Sequence, residues 1–148
     1  MSSEEDSPTA RTPNPVSKLR AADIMNRPVI SAYPTTMARN VAIQMLMGGY
    51  SGVPITETTG EVIGIVSEID IIRAIRAGKP LESTEAGHIM ARNVICVDAE
   101  DFVDSVLQVL DEKKIVRVPV VREGKLAGVI SRPDVLRAFI EPNFMTFS

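Results

Sequence analysis

Apolar residues fall in short runs and stripes from about residue 21 onward, and their spacing predicts the elements. Val103, Val106, Leu107 and Leu110 recur along one helical face. Asp101 and Asp104 are placed in the first turn of that predicted helix and Lys113 and Lys114 in its last, signs that suit the helix dipole. In the first half Val41, Met45 and Leu46 form the matching stripe, and Gly48 with Gly49 stops it. Runs at 53–56 and 61–66, and again at 118–121 and 125–130, read as paired strands, with turns at Gly60 and Gly124. Short helical turns over 21–25 and 86–90 lead into brief strands around 29–31 and 94–97. A last helix opens at Ser67 in one half and at Ser131 in the other. Both serines suit an N-cap, and Pro133 suits a first turn.

The two halves are one sequence written twice. At an offset of 65, Ile24-Met25 meets Ile89-Met90, Arg27 meets Arg92, Val29-Ile30 meets Val94-Ile95, and Val53-Pro54 meets Val118-Pro119. The turn Glu57-Thr58-Thr59-Gly60 is one residue longer than Arg122-Glu123-Gly124. At an offset of 64, Gly64 then meets Gly128, Ser67 meets Ser131, Asp70 meets Asp134, and Arg73-Ala74 meets Arg137-Ala138. Matches on glycine, proline and polar residues exceed what shared hydrophobic patterning produces. Each half reads as a β-α-β-β-α unit, too small for a secure core alone, so the fold class is α/β (α+β), with two repeats packed through their sheets as a pseudo-twofold pair. The expected organisation is a mobile tail at 1–20 rich in Ser, Thr, Pro and charge, a first repeat at 21–79, a linker at 80–85, a second repeat at 86–141 and a C-terminal tail at 142–148.

Composition narrows the function. A formal charge of -3 argues against a nucleic-acid surface. No apolar run reaches the length of a membrane span, and Met1–Asp6 is acidic and polar, so membrane insertion and a secretory signal are not expected and the cytoplasm is. The single cysteine, Cys96, lies among apolar neighbours and reads as a packed thiol. His88 is the only histidine, which leaves no histidine cluster for a metal, and it reads as a surface residue. Phe139, Phe144 and Phe147 suit either a dimer interface or the molecule's own edge.

The segments Gly64-Ile65-Val66-Ser67-Glu68-Ile69-Asp70 and Gly128-Val129-Ile130-Ser131-Arg132-Pro133-Asp134 share one form: Gly, two apolar residues, Ser, two variable residues, Asp. With the Ile-Met lead and the Val-Pro strand, both closely resemble the CBS domain family, over nearly all of 21–140. The resemblance implies a tandem pair that often pairs again into a homodimer. It also implies adenosine ligands in two clefts between the repeats: AMP first, or ADP, ATP, S-adenosylmethionine or a related compound, held as regulatory ligands with no obligatory cofactor. The motif Asp would receive the ribose hydroxyls and the motif Ser would meet a phosphate. A carboxylate can accept both hydroxyls of a cis-diol, and a helix N-terminus stabilises a phosphate. Carried over by position, one site is Ser67 and Asp70 with Val94 and Ile95 against the base. The other is Ser131 and Asp134 with Val29 and Ile30 against the base. Arg117 stands where many members carry a phosphate-binding basic residue, and its counterpart is Gly52. Arg132 follows Ser131, whereas Glu68 follows Ser67. The Asp134 site is therefore expected to prefer a phosphorylated ligand. Without the resemblance, each Asp also suits a first helical turn through the dipole, each Ser a plain cap, and Arg117 and Arg132 a solvated surface.

Three other functions fit the sequence less well. An enzyme lacks support, because no nucleophile–base pair, Gly-rich phosphate loop or metal-ligand spacing is present. A structural dimerisation module without a functional ligand site fits Gly52 and Glu68 better than Arg117, Ser131 and Asp134. Nucleic-acid binding conflicts with the acidic balance. The expected mechanism is a regulatory sensor: the ligand favours one arrangement through differential affinity and passes the change to an unidentified effector protein.

Overall fold

The computed structural model describes residues 18–27 and 30–140. Residues 1–17 of the expected 1–20 tail and the whole expected 142–148 tail, with Phe144 and Phe147, lie outside the described residues, as does Val29. In chain order the elements are α1 (Ala21–Ile24), α2 (Ala38–Gly48), β1 (Gly52–Thr56), β2 (Val62–Ser67), α3 (Glu68–Arg76), a 3-10 turn (Ala86–His88), β3 (Val97–Asp98), α4 (Val103–Glu112), β4 (Arg117–Arg122), β5 (Lys125–Ser131) and α5 (Arg132–Ile140). The mixed helix and strand content is the one the pattern predicts.

Two compact units divide the chain, and they are not the two repeats. One contains residues 30–96 with 123–126. Its strands β1 and β2 are antiparallel, with Gly52 opposite Ser67, Val53 opposite Val66, Pro54 opposite Ile65 and Ile55 opposite Gly64. On the other edge Ala32 bridges β1 in parallel, donating to Pro54 O at 3.0 Å and accepting from Thr56 N at 2.9 Å. β1 is flanked on both sides, which explains why all five of its residues are buried. Val41 and Met45 of α2 reach this core, but Leu46 is 83% exposed. The inward stripe is Ala38, Val41 and Met45 at i, i+3, i+7, and Leu46 lies about 100° further round the helix. Gly49 ends α2 in the left-handed conformation, φ 71°.

The other unit contains 18–27, 97–122 and 127–140. Its sheet runs β3-β4-β5, with Val97 and Asp98 parallel to Val120 and Val121. The strand expected at 94–97 begins only at Val97, because Val94 N turns back to Arg92 O at 3.0 Å. β4 and β5 are joined by Glu123 and Gly124 at φ 53° and 80°, a two-residue hairpin turn whose twist matches the strands. α4 begins at Val103, so Asp104 sits in its first turn. Asp101 precedes the helix and accepts from Asp98 N at 2.9 Å. The helix ends at Glu112, with Lys113 as its cap and Lys114 left-handed at φ 55°, so both lysines follow the last turn rather than occupy it. Structure begins ahead of residue 21. Leu19 O accepts from Val103 N at 2.9 Å, and the Arg20 guanidinium stacks 4.0 Å from the Phe102 ring centre.

The lead segments are exchanged. Ala21, Ile24 and Met25 of the first repeat complete the core made by Val103, Val106, Val118, Val120 and Ile130. Ala86 and Met90 of the second repeat complete the core of Val41, Val53, Ile55 and Val66. This packing gives the motif glycines a reason. A Cβ on Gly64 would meet Met90 Cγ at 2.8 Å and Ala91 O at 3.1 Å. One on Gly128 would meet Met25 Cγ at 2.8 Å and Asn26 O at 3.0 Å. The methionine of each lead and the glycine of each strand are one contact, made twice.

Candidate functional site

Each motif turns a strand directly into a helix. Ser67 is the last residue of β2 and the N-cap of α3, and Ser131 is the last residue of β5, directly ahead of α5. The first helical amide is engaged in both halves: Glu68 N donates to Ser51 O at 3.2 Å, and Arg132 N donates to Val116 O at 3.0 Å. Three residues on, the motif carboxylate folds back over the corner. Asp70 Oδ2 accepts from Ser67 N at 2.8 Å and from Ser67 Oγ at 2.9 Å. Asp134 Oδ2 accepts from Ser131 N and Ser131 Oγ, both at 2.8 Å. The Ser and Asp of each motif thus share one corner, and in this state the serine hydroxyl is donated to the aspartate.

The two corners then differ. Asp134 Oδ2 also accepts from Asn26 Nδ2 at 2.7 Å, and Oδ1 accepts from Arg137 at 2.6 Å. Its side chain is 5% exposed. Asp70 is half-buried, and among the described residues its Oδ1 accepts no hydrogen bond. The backbone delivering the neighbour is the same in both units: Asn26 N donates to Val129 O at 2.9 Å, and Ala91 N donates to Ile65 O at 2.9 Å. Ala91 carries no side-chain amide, so among the described residues nothing equivalent to Asn26 reaches Asp70. Asn26 is a residue the repeat alignment overlooked. Its signal was an Asn–Ala mismatch flanked by the matched pairs Met25–Met90 and Arg27–Arg92.

Val94 and Ile95 are half-buried, outside any strand, and belong to the same unit as Ser67 and Asp70. Ile30 packs against that unit's core. Arg117, half-buried, opens β4 next to Val116, whose carbonyl takes the first amide of α5. Arg132 is exposed and donates its Nε to Ile115 O at 2.9 Å. Arg132 and Asp134 are two residues apart, about 200° around the helix, so they point to opposite sides. Arg132 faces a groove of about 460 Å³ lined by Leu107, Leu110, Asp111, Lys114, Val135 and Leu136, and it does not join the Asp134 carboxylate. Cys96 is half-buried, and burial pushes its thiol pKa up. His88 is exposed, and Phe139, on α5, is partly buried against the core of its unit. Among the described residues no helix is long and apolar enough to cross a membrane.

Comparison with known proteins follows the same lines. The chain is 33% identical over 122 residues to the uncharacterized protein MK0525 of Methanopyrus kandleri, a match that covers 81% of this chain and 61% of that one, so it spans less than two thirds of that relative. The crystal structure of Hypoxic Response Protein I, which has two coordinated zinc ions, superposes with a TM-score of 0.74 at 28% identity, over 80% of this chain and 97% of that one. Among the described residues here, no three His, Cys, Asp or Glu side chains are grouped to hold a metal ion. The CBS domain pair of protein MJ0100, solved with 5′-methylthioadenosine and S-adenosyl-L-methionine, superposes with a TM-score of 0.74 at 27% identity, over 83% and 97% of the two chains. The family model for the CBS domain matches twice, at residues 21–77 and 86–141. With the motif repeated in register and the fold shared with solved CBS pairs, the chain belongs to the CBS domain family and carries two copies of the domain.

Proposed function

We propose that this chain is a regulatory module that binds an adenosyl compound at its motif corners. The observation that carries the reading is the Ser-x-x-Asp corner, formed twice, in a chain similar to a CBS pair solved with two adenosyl ligands. The motif aspartate takes the ribose hydroxyls and the motif serine turns toward a phosphate or other 5′ substituent. Val94 and Ile95 offer apolar surface to the base at Ser67 and Asp70. Arg117 is the cation for a phosphate at Ser131 and Asp134. The ligand acts by favouring one arrangement of the protein over another, which requires differential affinity for the two. An effector protein reads the change, and the role is regulatory rather than catalytic.

A second copy of the chain is the other proposed partner. Ile69, Ile72 and Ile75 form an exposed apolar stripe on α3, and Leu136 and Ile140 form one on α5. Apolar stripes of this kind suit a protein interface. They also favour the second reading, a dimerisation module whose corners hold no ligand.

Thermal unfolding separates the two. AMP, ADP, ATP, S-adenosylmethionine and 5′-methylthioadenosine are each added at millimolar concentration. A ligand at a hundred times its Kd adds about 2.7 kcal/mol. For a chain this size the midpoint rises by about 5–11 °C. A rise with one compound supports the sensor; no rise with any leaves the dimerisation module as the account.

A further inference from the structure

We infer that Asn26 is a latch that withholds Asp134 from an adenosyl ligand and leaves Asp70 as the carboxylate that binds it. This rests on the adenosyl-binding reading above and reverses the ranking that the cations near Asp134 predict. An ionised carboxylate offers about four lone-pair sites. Among the described residues Asp134 meets four donors: Ser131 N, Ser131 Oγ and Asn26 Nδ2 crowd Oδ2, and Arg137 holds Oδ1. It is also buried, so a ribose diol would have to displace charge-assisted bonds to reach it. Among the described residues Asp70 meets two donors, both on Oδ2, and Oδ1 keeps two lone pairs. Two lone pairs match the two hydroxyls of a cis-diol.

The difference does not lie in the motif, because Ser and Asp recur at the same spacing and an arginine follows each aspartate by three residues, Arg73 and Arg137. Of the two donors that Asp134 meets and Asp70 does not, Arg137 has a counterpart in Arg73, whereas Asn26 has none: matched backbone hydrogen bonds present Asn26 to one corner and Ala91 to the other. Both residues are exposed, so exchanging them leaves the core intact.

Isothermal titration of the full chain with AMP and with S-adenosylmethionine tests the latch, using wild type, Asn26→Ala, Ala91→Asn, Asp70→Ala and Asp134→Ala. The expected result is one adenosyl molecule per chain for wild type, lost in Asp70→Ala and kept in Asp134→Ala. Asn26→Ala gains a second site with a Kd within about tenfold of the first. Ala91→Asn weakens the wild-type site at least tenfold, about 1.4 kcal/mol. Two sites in wild type, or one site that survives Asp70→Ala and disappears in Asp134→Ala, overturns the latch while the adenosyl reading stands. No binding to wild type or to Asn26→Ala overturns both. Unfolding midpoints of each variant confirm that it folds, and Ala91→Asn decides the matter alone if Asn26→Ala does not.

Discussion

Replacing Gly64 or Gly128 with alanine tests the exchanged packing directly. The added methyl on Gly64 would stand 2.8 Å from Met90 Cγ and 3.1 Å from Ala91 O. The methionine can swing aside at the cost of a poorer rotamer. The carbonyl cannot, because it accepts from Ile65 N at 3.0 Å and anchors the lead segment. Overpacking of this kind costs about 1–3 kcal/mol. At this chain length each kcal/mol lowers the unfolding midpoint by about 2–4 °C. Met90→Ala alone opens a cavity worth about 2–5 kcal/mol. In the double variant the new methyl enters space the thioether has left, so the combined loss falls short of the sum by about 1 kcal/mol or more. The same holds for Gly128 with Met25. Urea denaturation of the four corners of each cycle measures it. Additive effects for Gly64 with Met90, together with coupling of Gly64 to Met25 of its own repeat, would refute the exchange.

Three further outcomes are expected. Lys114→Gly relieves a left-handed residue just past α4 and raises stability by about 0.5–1 kcal/mol in denaturant titration; a loss would mean that the lysine stem packs usefully there. Cys96 should react with a thiol reagent at pH 8 several-fold more slowly in the folded chain than in urea, since burial raises its pKa and lowers the thiolate fraction; equal rates would contradict a half-buried thiol. Asp134→Ala should cost about 2–3 kcal/mol against about 1 kcal/mol for Asp70→Ala, because four donors lose their acceptor in one case and two in the other; equal costs in chemical denaturation would show that Asn26 and Arg137 add nothing.

What the sequence disclosed is mostly local. The hairpin turns show in Gly60 and Gly124, both at positive φ, and the α2 stop shows in Gly49. The buried stripe of α4 shows in Val103, Val106 and Leu110, which are all buried. Ser67 shows as an N-cap because its role is set within three residues. The failures are of two kinds. Helix ends shift when one residue leaves the helical region, as Lys114 does, and a stripe read from residue type alone admits Leu46 although packing turns it out to solvent. The larger failure concerns long-range partners. Asn26 and Asp134 are 108 residues apart, and no periodicity links them. Arg132 looked like a cation beside the motif aspartate because the two are close in sequence. The helix sends them to opposite sides, and Arg132 caps a carbonyl at Ile115 instead.

The repeat in the sequence is therefore not the unit that packs. Residues 21–27 close the strands of the second repeat, and 86–96 close those of the first. Each motif corner is consequently built by one repeat and bordered by the other: Asp134 by Asn26, Asp70 by the position of Ala91. Two copies of one motif can then diverge in function while the motif itself stays unchanged. The motif residues are constrained by the strand-to-helix turn they make, since Ser and Asp satisfy each other at 2.8–2.9 Å in both halves. The lead residue is exposed and carries no such structural duty beyond its backbone bonds. A substitution there changes the donors around a carboxylate without altering the core, the cap or the sheet. That makes the lead position the place where one corner can be tuned independently of its twin.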